Sequence, residues 1–155
     1  NSFATADSAS GGGVSESPSL VWHETLEEGL AQASAEGKKV LLVFSAVEWD
    51  GWSRLLQREV FESESFLQEA PKLYLLVRLN IPDGAYPSRE REKYVRDLKW
   101  KYKVEGTPES LVFSADGKKL DKLEGYQHLP IYMKWLMKDR KPRRSWIWRL
   151  LHCRG

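Results

Sequence analysis

Asp50 and Ser53 are the residues of this chain whose types and spacing come nearest to a reactive pair. They stand three positions apart at the start of a helix-like segment, just after the apolar run Val40-Leu41-Leu42-Val43-Phe44-Ser45. A serine there becomes a nucleophile only with an adjacent base, usually histidine. His23, His128 and His152 are scattered, none near Ser53 in sequence and none at metal-ligand spacing. Asp50 suits a simpler task. A carboxylate at a helix N-terminus accepts the free N–H groups of the first turn and meets the positive end of the helix dipole. Capping the N–H of Trp52 or Ser53 is therefore its expected role, worth about 0.5–2 kcal/mol. A general-base or ligand role is the lesser alternative. The single cysteine, Cys153, lies two residues from the end, so neither an intrachain disulfide nor a cysteine metal site can form. No metal or other cofactor is implied.

The elements that must position Asp50 and Ser53 follow from apolar periodicity. Trp22, Leu26, Leu30 and Ala33 recur at helical spacing over 22–36, with Gly37 as the C-terminal cap. Residues 40–45 form a buried strand, and a helix follows over 51–59 with Trp52, Leu55 and Leu56 on one face. Val60-Phe61 interrupts it, and 63–70 is a short second helical piece before Pro71. A strand over 73–80 alternates Leu73, Leu75, Val77 and Leu79 with Tyr74, Leu76 and Arg78, covering both faces. Ser88 to Tyr102 returns to helix through Tyr94, Val95, Leu98 and Tyr102. Gly106-Thr107-Pro108 turns into a strand at 111–113, and Asp116-Gly117 centres a hairpin to a partner strand at 119–123. A last helix over 129–137 points Ile131, Trp135 and Leu136 inward. Strand–helix–strand followed by a hairpin gives a mixed sheet with helices on both faces, an α/β architecture.

With 155 residues, 41% hydrophobic and 30% charged, the chain has the size and composition of one globular domain. Its longest apolar run is too short to span a bilayer. Residues 1–20 hold six Ser, three Gly and three Ala and form a flexible leader. That leader, with a start at Asn1, sets the expectation of an exported protein, periplasmic or extracellular. Residues 21–138 make the domain. Residues 139–155 are a basic, Trp-rich tail, in which Arg143, Arg144, Trp146 and Trp148 are the candidate contacts. This tail could dock on the body, lie on an anionic membrane surface or bind an acidic partner. The rest of the chain is slightly acidic, which argues against nucleic acid.

Several motifs fall in a fixed order: Trp22, Gly37-Lys38-Lys39, Trp49-Asp50-Gly51-Trp52-Ser53, Glu59-Val60-Phe61, Val104-Glu105-Gly106-Thr107-Pro108 and Asp116-Gly117-Lys118. Over residues 20–138 this order resembles the thioredoxin superfamily, in particular bacterial exported thioredoxin-like domains with a Trp-Cys-x-Trp-Cys site. Here Asp50 and Ser53 stand where that pattern has its cysteines. A second departure is Ser110, where the pattern favours an apolar residue.

The resemblance implies a thioredoxin-like fold with a central mixed β-sheet flanked by helices. It also implies a cis Thr107-Pro108 peptide beside the former dithiol. Thiol–disulfide exchange needs an attacking thiolate and a resolving thiol, and neither Asp50 nor Ser53 supplies one. The expected protein is redox-inactive and non-catalytic. Its expected binding face for an unidentified protein or peptide comprises Trp49, Asp50, Gly51, Trp52, Ser53, Thr107 and Pro108. Strand addition at such a face needs no sulfur. Trp49 is the better exposed contact, whereas Trp52, in phase with Leu55 and Leu56, reads first as core. Thr107-Pro108 has a purely structural alternative as a turn. Two rival functions are an oxidoreductase-related enzyme with relocated chemistry and a structural domain acting through its tail.

Overall fold

The computed structural model describes residues 20–140. The leader through residue 19 and the tail from residue 141, including Arg143, Arg144, Trp146, Trp148, His152 and Cys153, lie outside the described residues. Five strands form one sheet in the order β1-β3-β2-β4-β5. They are β1 (Trp22–His23), β2 (Lys39–Ser45), β3 (Tyr74–Asn80), β4 (Glu109–Phe113) and β5 (Lys119–Glu124). β1 and β2 run parallel to β3, while β4 runs antiparallel to β2 and β5 antiparallel to β4.

The central strand β2 shows how the sequence divides the core. Its residues alternate between faces, as strand geometry requires. Val40, Leu42 and Phe44 join one apolar cluster, with Leu26 and Ala33 of helix α1 (Leu26–Glu36) and Val95 and Leu98 of α4 (Arg89–Lys101). Leu41 and Val43 join the other. That second face carries α2 (Gly51–Leu56), α3 (Glu64–Leu73) and α5 (Leu129–Leu136). Burying each Val, Leu or Phe side chain among these contributes about 1.5–3 kcal/mol. Close approach of α1 to the sheet depends on Gly29, where a Cβ would meet Val77 Cγ2 at 2.5 Å.

Helix boundaries follow their caps. Thr25 caps α1, Ser63 caps α3 and Ser88 caps α4, each accepting a first-turn N–H. Gly37 ends α1 at φ 69°, a conformation open to glycine without steric cost.

Several sequence expectations need correction. Trp22 belongs to a two-residue edge strand, not to the first helix, because Thr25 rather than Trp22 provides the cap. Its ring packs on Phe61 and Phe66 and lies 4.1 Å beneath the Arg78 guanidinium. Val60-Phe61 does not interrupt α2. The helix continues as a π-helical turn, Gln57–Phe61, and both Val60 and Phe61 are buried. In α5 the inward residues are Tyr132 and Leu136, while Ile131 is exposed. Trp100 of α4 is 86% exposed. Ser110, the departure from the apolar pattern, is buried, and the Tyr132 hydroxyl donates to its Oγ at 2.7 Å. Burial pushes the Tyr132 phenol above its ordinary range, so it stays a neutral donor.

Candidate functional site

The chain leaves β2 at Ser45, crosses Ala46 to Trp49, and enters α2 at Gly51. Asp50 is the N-cap, in extended conformation at φ −106°. Its Oδ1 accepts from the Trp52 N–H at 3.3 Å and its Oδ2 from the Ser53 N–H at 3.2 Å. The same Oδ2 also accepts the Ser53 hydroxyl at 2.8 Å and the Thr107 hydroxyl at 2.9 Å. One carboxylate oxygen therefore joins the start of α2 to the loop that enters β4, 57 positions away in sequence.

Ser53 is 1% exposed, and its Oγ accepts from the Ala46 N–H at 3.0 Å while donating to Asp50. Its hydroxyl is spent on both sides, and among the described residues no histidine bonds to it. Thr107-Pro108 is a cis peptide, and Pro108 is buried. Of the face drawn from the sequence, Asp50, Ser53 and Thr107 are thus directly bonded, with Pro108 adjoining and Gly51 exposed at the helix start.

The two tryptophans frame this corner. Trp49 is 48% exposed, and its indole N–H donates to the Ile81 carbonyl at 3.0 Å, just beyond the end of β3. Trp52 is 59% exposed, which corrects its reading as a core residue. The buried residues of the six-residue α2 are Ser53 and Leu56, so Trp52 falls outside the core-facing side. Its ring lies 5.6 Å from that of Tyr126, tilted by 32°. The Tyr126 hydroxyl in turn donates to Glu59. Trp52 is thereby held as an exposed aromatic surface beside Arg54 and Arg58.

Sequence reasoning missed the pair that holds the loop before Thr107. Glu109, at the start of β4, is buried, and its Oε1 accepts from the N–H groups of Glu105 at 3.1 Å and Gly106 at 3.4 Å. Lys122 of β5 donates to the carbonyls of Tyr102 at 3.3 Å and Lys103 at 2.8 Å. Its ammonium lies 3.2 Å from Glu109 Oε2. That oxygen has no aligned hydrogen-bond donor, so Lys122 balances its charge without capping it. An acid beside Pro108 and a lysine across the hairpin were the available signals, but only their cross-strand register joins them.

Elsewhere, Arg140 departs from the basic tail to which its sequence position assigns it. Its guanidinium is buried, ion-paired to Asp121 at 3.0 Å and donating to the Tyr74 hydroxyl and the Leu136 carbonyl at 3.2 Å each. His23 sits on β1, and His128 precedes α5 without a side-chain capping bond. No cluster of three or more His, Cys, Asp or Glu suited to a metal occurs among the described residues, and none of their helices is long and apolar enough to cross a membrane.

A sheet of this order, with a cis-proline loop set against the capped start of α2, defines a thioredoxin-like protein. The thioredoxin-like domain family model matches residues 26–139, and the chain belongs to that family. It is 28% identical over 104 residues to the disulfide bond reductase DsbH of Chlamydia pneumoniae, covering 67% of this chain and 62% of that protein. It is 23% identical over 111 residues to the thioredoxin-related protein DsbJ of the same organism, covering 72% of this chain and 32% of that one. The chain thus spans less than two thirds of either relative. Among solved structures, a DsbH oxidoreductase superposes with a TM-score of 0.68 at 23% identity, over 83% of this chain and 92% of that one. A Thermus thermophilus thioredoxin gives 0.58 at 19% identity, over 76% and 84%. The site is therefore that of a thioredoxin-like chain that carries Asp50 and Ser53, and no cysteine, at the start of α2.

Proposed function

We propose that this domain is a redox-inactive thioredoxin-like module that binds a protein or peptide on the face formed by Trp49, Asp50, Gly51, Trp52, Ser53, Thr107 and Pro108. The observation that carries this reading is Asp50 Oδ2, which accepts from both the Ser53 and Thr107 hydroxyls. The polar groups at the centre are satisfied by one another, while the aromatic rim stays open. Closed polar groups resist chemistry, whereas exposed aromatics on a rigid frame favour binding. An extended peptide pairing with the backbone beside Thr107 requires no thiol.

A second reading has one support, the relation to a protein named as a disulfide bond reductase. It places thiol chemistry at Cys153 or on another polypeptide. The same relation favours an exported location, since disulfides persist in oxidising compartments.

A disulfide-reduction assay separates the two. We expect no turnover by the wild-type protein and turnover by the Asp50→Cys/Ser53→Cys double variant, with circular dichroism confirming that both are folded. Wild-type turnover that disappears in Cys153→Ser overturns the binding reading in favour of the second.

A further inference from the structure

We infer that the cleft at the end of α4 takes an acidic segment of a protein partner, a conclusion that rests on the reading above and adds the partner's chemistry. The cleft is open and shallow, about 820 Å³, and its lining includes Arg96, Lys99, Trp100, Lys101, Lys103 and Glu105. Helix periodicity assigns Val95 and Leu98 to the core and turns Trp100 outward, where 86% of it meets solvent. Nothing in the packing of α4 requires a tryptophan there.

The cations are only partly explained by the helix. Lys99 and Lys101 complement the negative end of the dipole. Lys103 lies beyond the helix, at φ 56°, so the dipole does not account for it. Arg96 is neutralised by Glu92 at 2.8 Å. Among the described residues, Lys99, Lys101 and Lys103 form no ion pair. Three lysines without an ion pair, one of them 5.4 Å over the Tyr102 ring, line the cleft with one exposed indole and a single acid, Glu105, and this excess of cations suits carboxylates interspersed with apolar side chains.

Position connects this cleft with the cis-proline loop. Lys103 and Glu105 also line the neighbouring cleft that contains Thr107 and Pro108. The intervening backbone is held by Lys122 and Glu109, so the path is preformed. A chain leaving the loop backbone at Thr107 passes Glu105 and then meets the lysines. A concave cleft accommodates a polypeptide, whereas a bilayer presents a flat surface.

The test uses a fluorescein-labelled peptide of alternating Glu and Val, a neutral peptide of alternating Ser and Val, and phosphatidylglycerol vesicles. The acidic peptide should bind more tightly and lose affinity as salt is added. Trp100→Ala, and separately Lys101→Glu with Lys103→Asn, should each weaken it about tenfold. All three positions are exposed, and Asn tolerates the positive φ of position 103. Equal binding of the neutral peptide, or unchanged affinity in the lysine variant, overturns the cleft assignment while leaving intact the reading of backbone pairing beside Thr107. An acidic peptide N-methylated along its backbone reverses that test. Retained, lysine-dependent binding upholds the cleft and removes strand pairing. Binding to the vesicles without binding to either peptide overturns both.

Discussion

Two polar knots sit at opposite ends of β3, and they serve different ends. At its start, Arg140 gathers Tyr74, Asp121 and the last carbonyls of α5 around a buried guanidinium. Past its finish, Asp50 gathers Ser53 and Thr107, and Trp49 reaches back to Ile81. Both knots satisfy their polar groups, as burial demands. Their surroundings differ. The Arg140 knot joins the end of α5 to the sheet, and its neighbouring aromatic, Trp135, packs edge-on against Tyr132. The Asp50 knot is rimmed by Trp49 and Trp52, both largely open to solvent. Satisfied polar groups under cover mark architecture; the same groups under an open aromatic rim are the surface proposed for a partner.

That contrast can be broken most sharply at Arg140. Arg140→Ala leaves Asp121 and Tyr74 without their cation and should destabilise the domain by about 3 kcal/mol in urea unfolding. Peptide affinity should stay unchanged while the protein is folded. A neutral effect on stability would remove the knot from the architecture. Asp50→Ala should cost less, about 1–2 kcal/mol, because it removes a cap and two hydroxyl acceptors at a partly exposed corner. It should also weaken peptide binding by freeing Thr107, so an effect on stability alone would reduce Asp50 to a cap.

Acid sharpens the same comparison by a smaller amount. Burial pushes the Asp121 carboxyl up, but the Lys122 N–H and the Arg140 guanidinium outweigh it and hold the group below its ordinary value of 3.8. A depressed folded pKa means stability present above that value and lost as pH falls through the folded one. Unfolding free energy should therefore decline below about pH 4, and Arg140→Ala should flatten this part of the decline. An unchanged acid profile in the variant would detach Asp121 from Arg140. The smallest effect on stability belongs to Trp52→Ala, within about 0.5 kcal/mol. Its peptide affinity should nevertheless drop, whereas a large loss of stability would return Trp52 to the core.

The sequence carried the Asp50 cap because it depends on local residue type and position: an acid before a helix, within reach of its own first turn. The two-layered core was equally legible, since β2 and β3 are apolar on both faces. What failed were inferences about which side of a short element faces inward. α2 has only six residues before its π-helical turn, so periodicity through Trp52, Leu55 and Leu56 did not locate its core face. Arg140 was hidden within a basic run whose other members say nothing about Asp121. Ser110 looked misplaced because its partner, Tyr132, lies on another element. The Thr107 bond to Asp50 was invisible for the same reason: tertiary pairs leave no mark on sequence spacing.

The central claim, that the silent corner is a binding face, is tested most directly by mapping amide and indole shifts of ¹⁵N-labelled protein during titration with the alternating Ser/Val peptide. The account predicts saturable shifts at the Trp49 and Trp52 indoles and at the Thr107 amide, with Tyr74, Asp121 and Arg140 unmoved. Shifts confined to the Arg140 end, or no response at Trp49, Trp52 and Thr107, would contradict it.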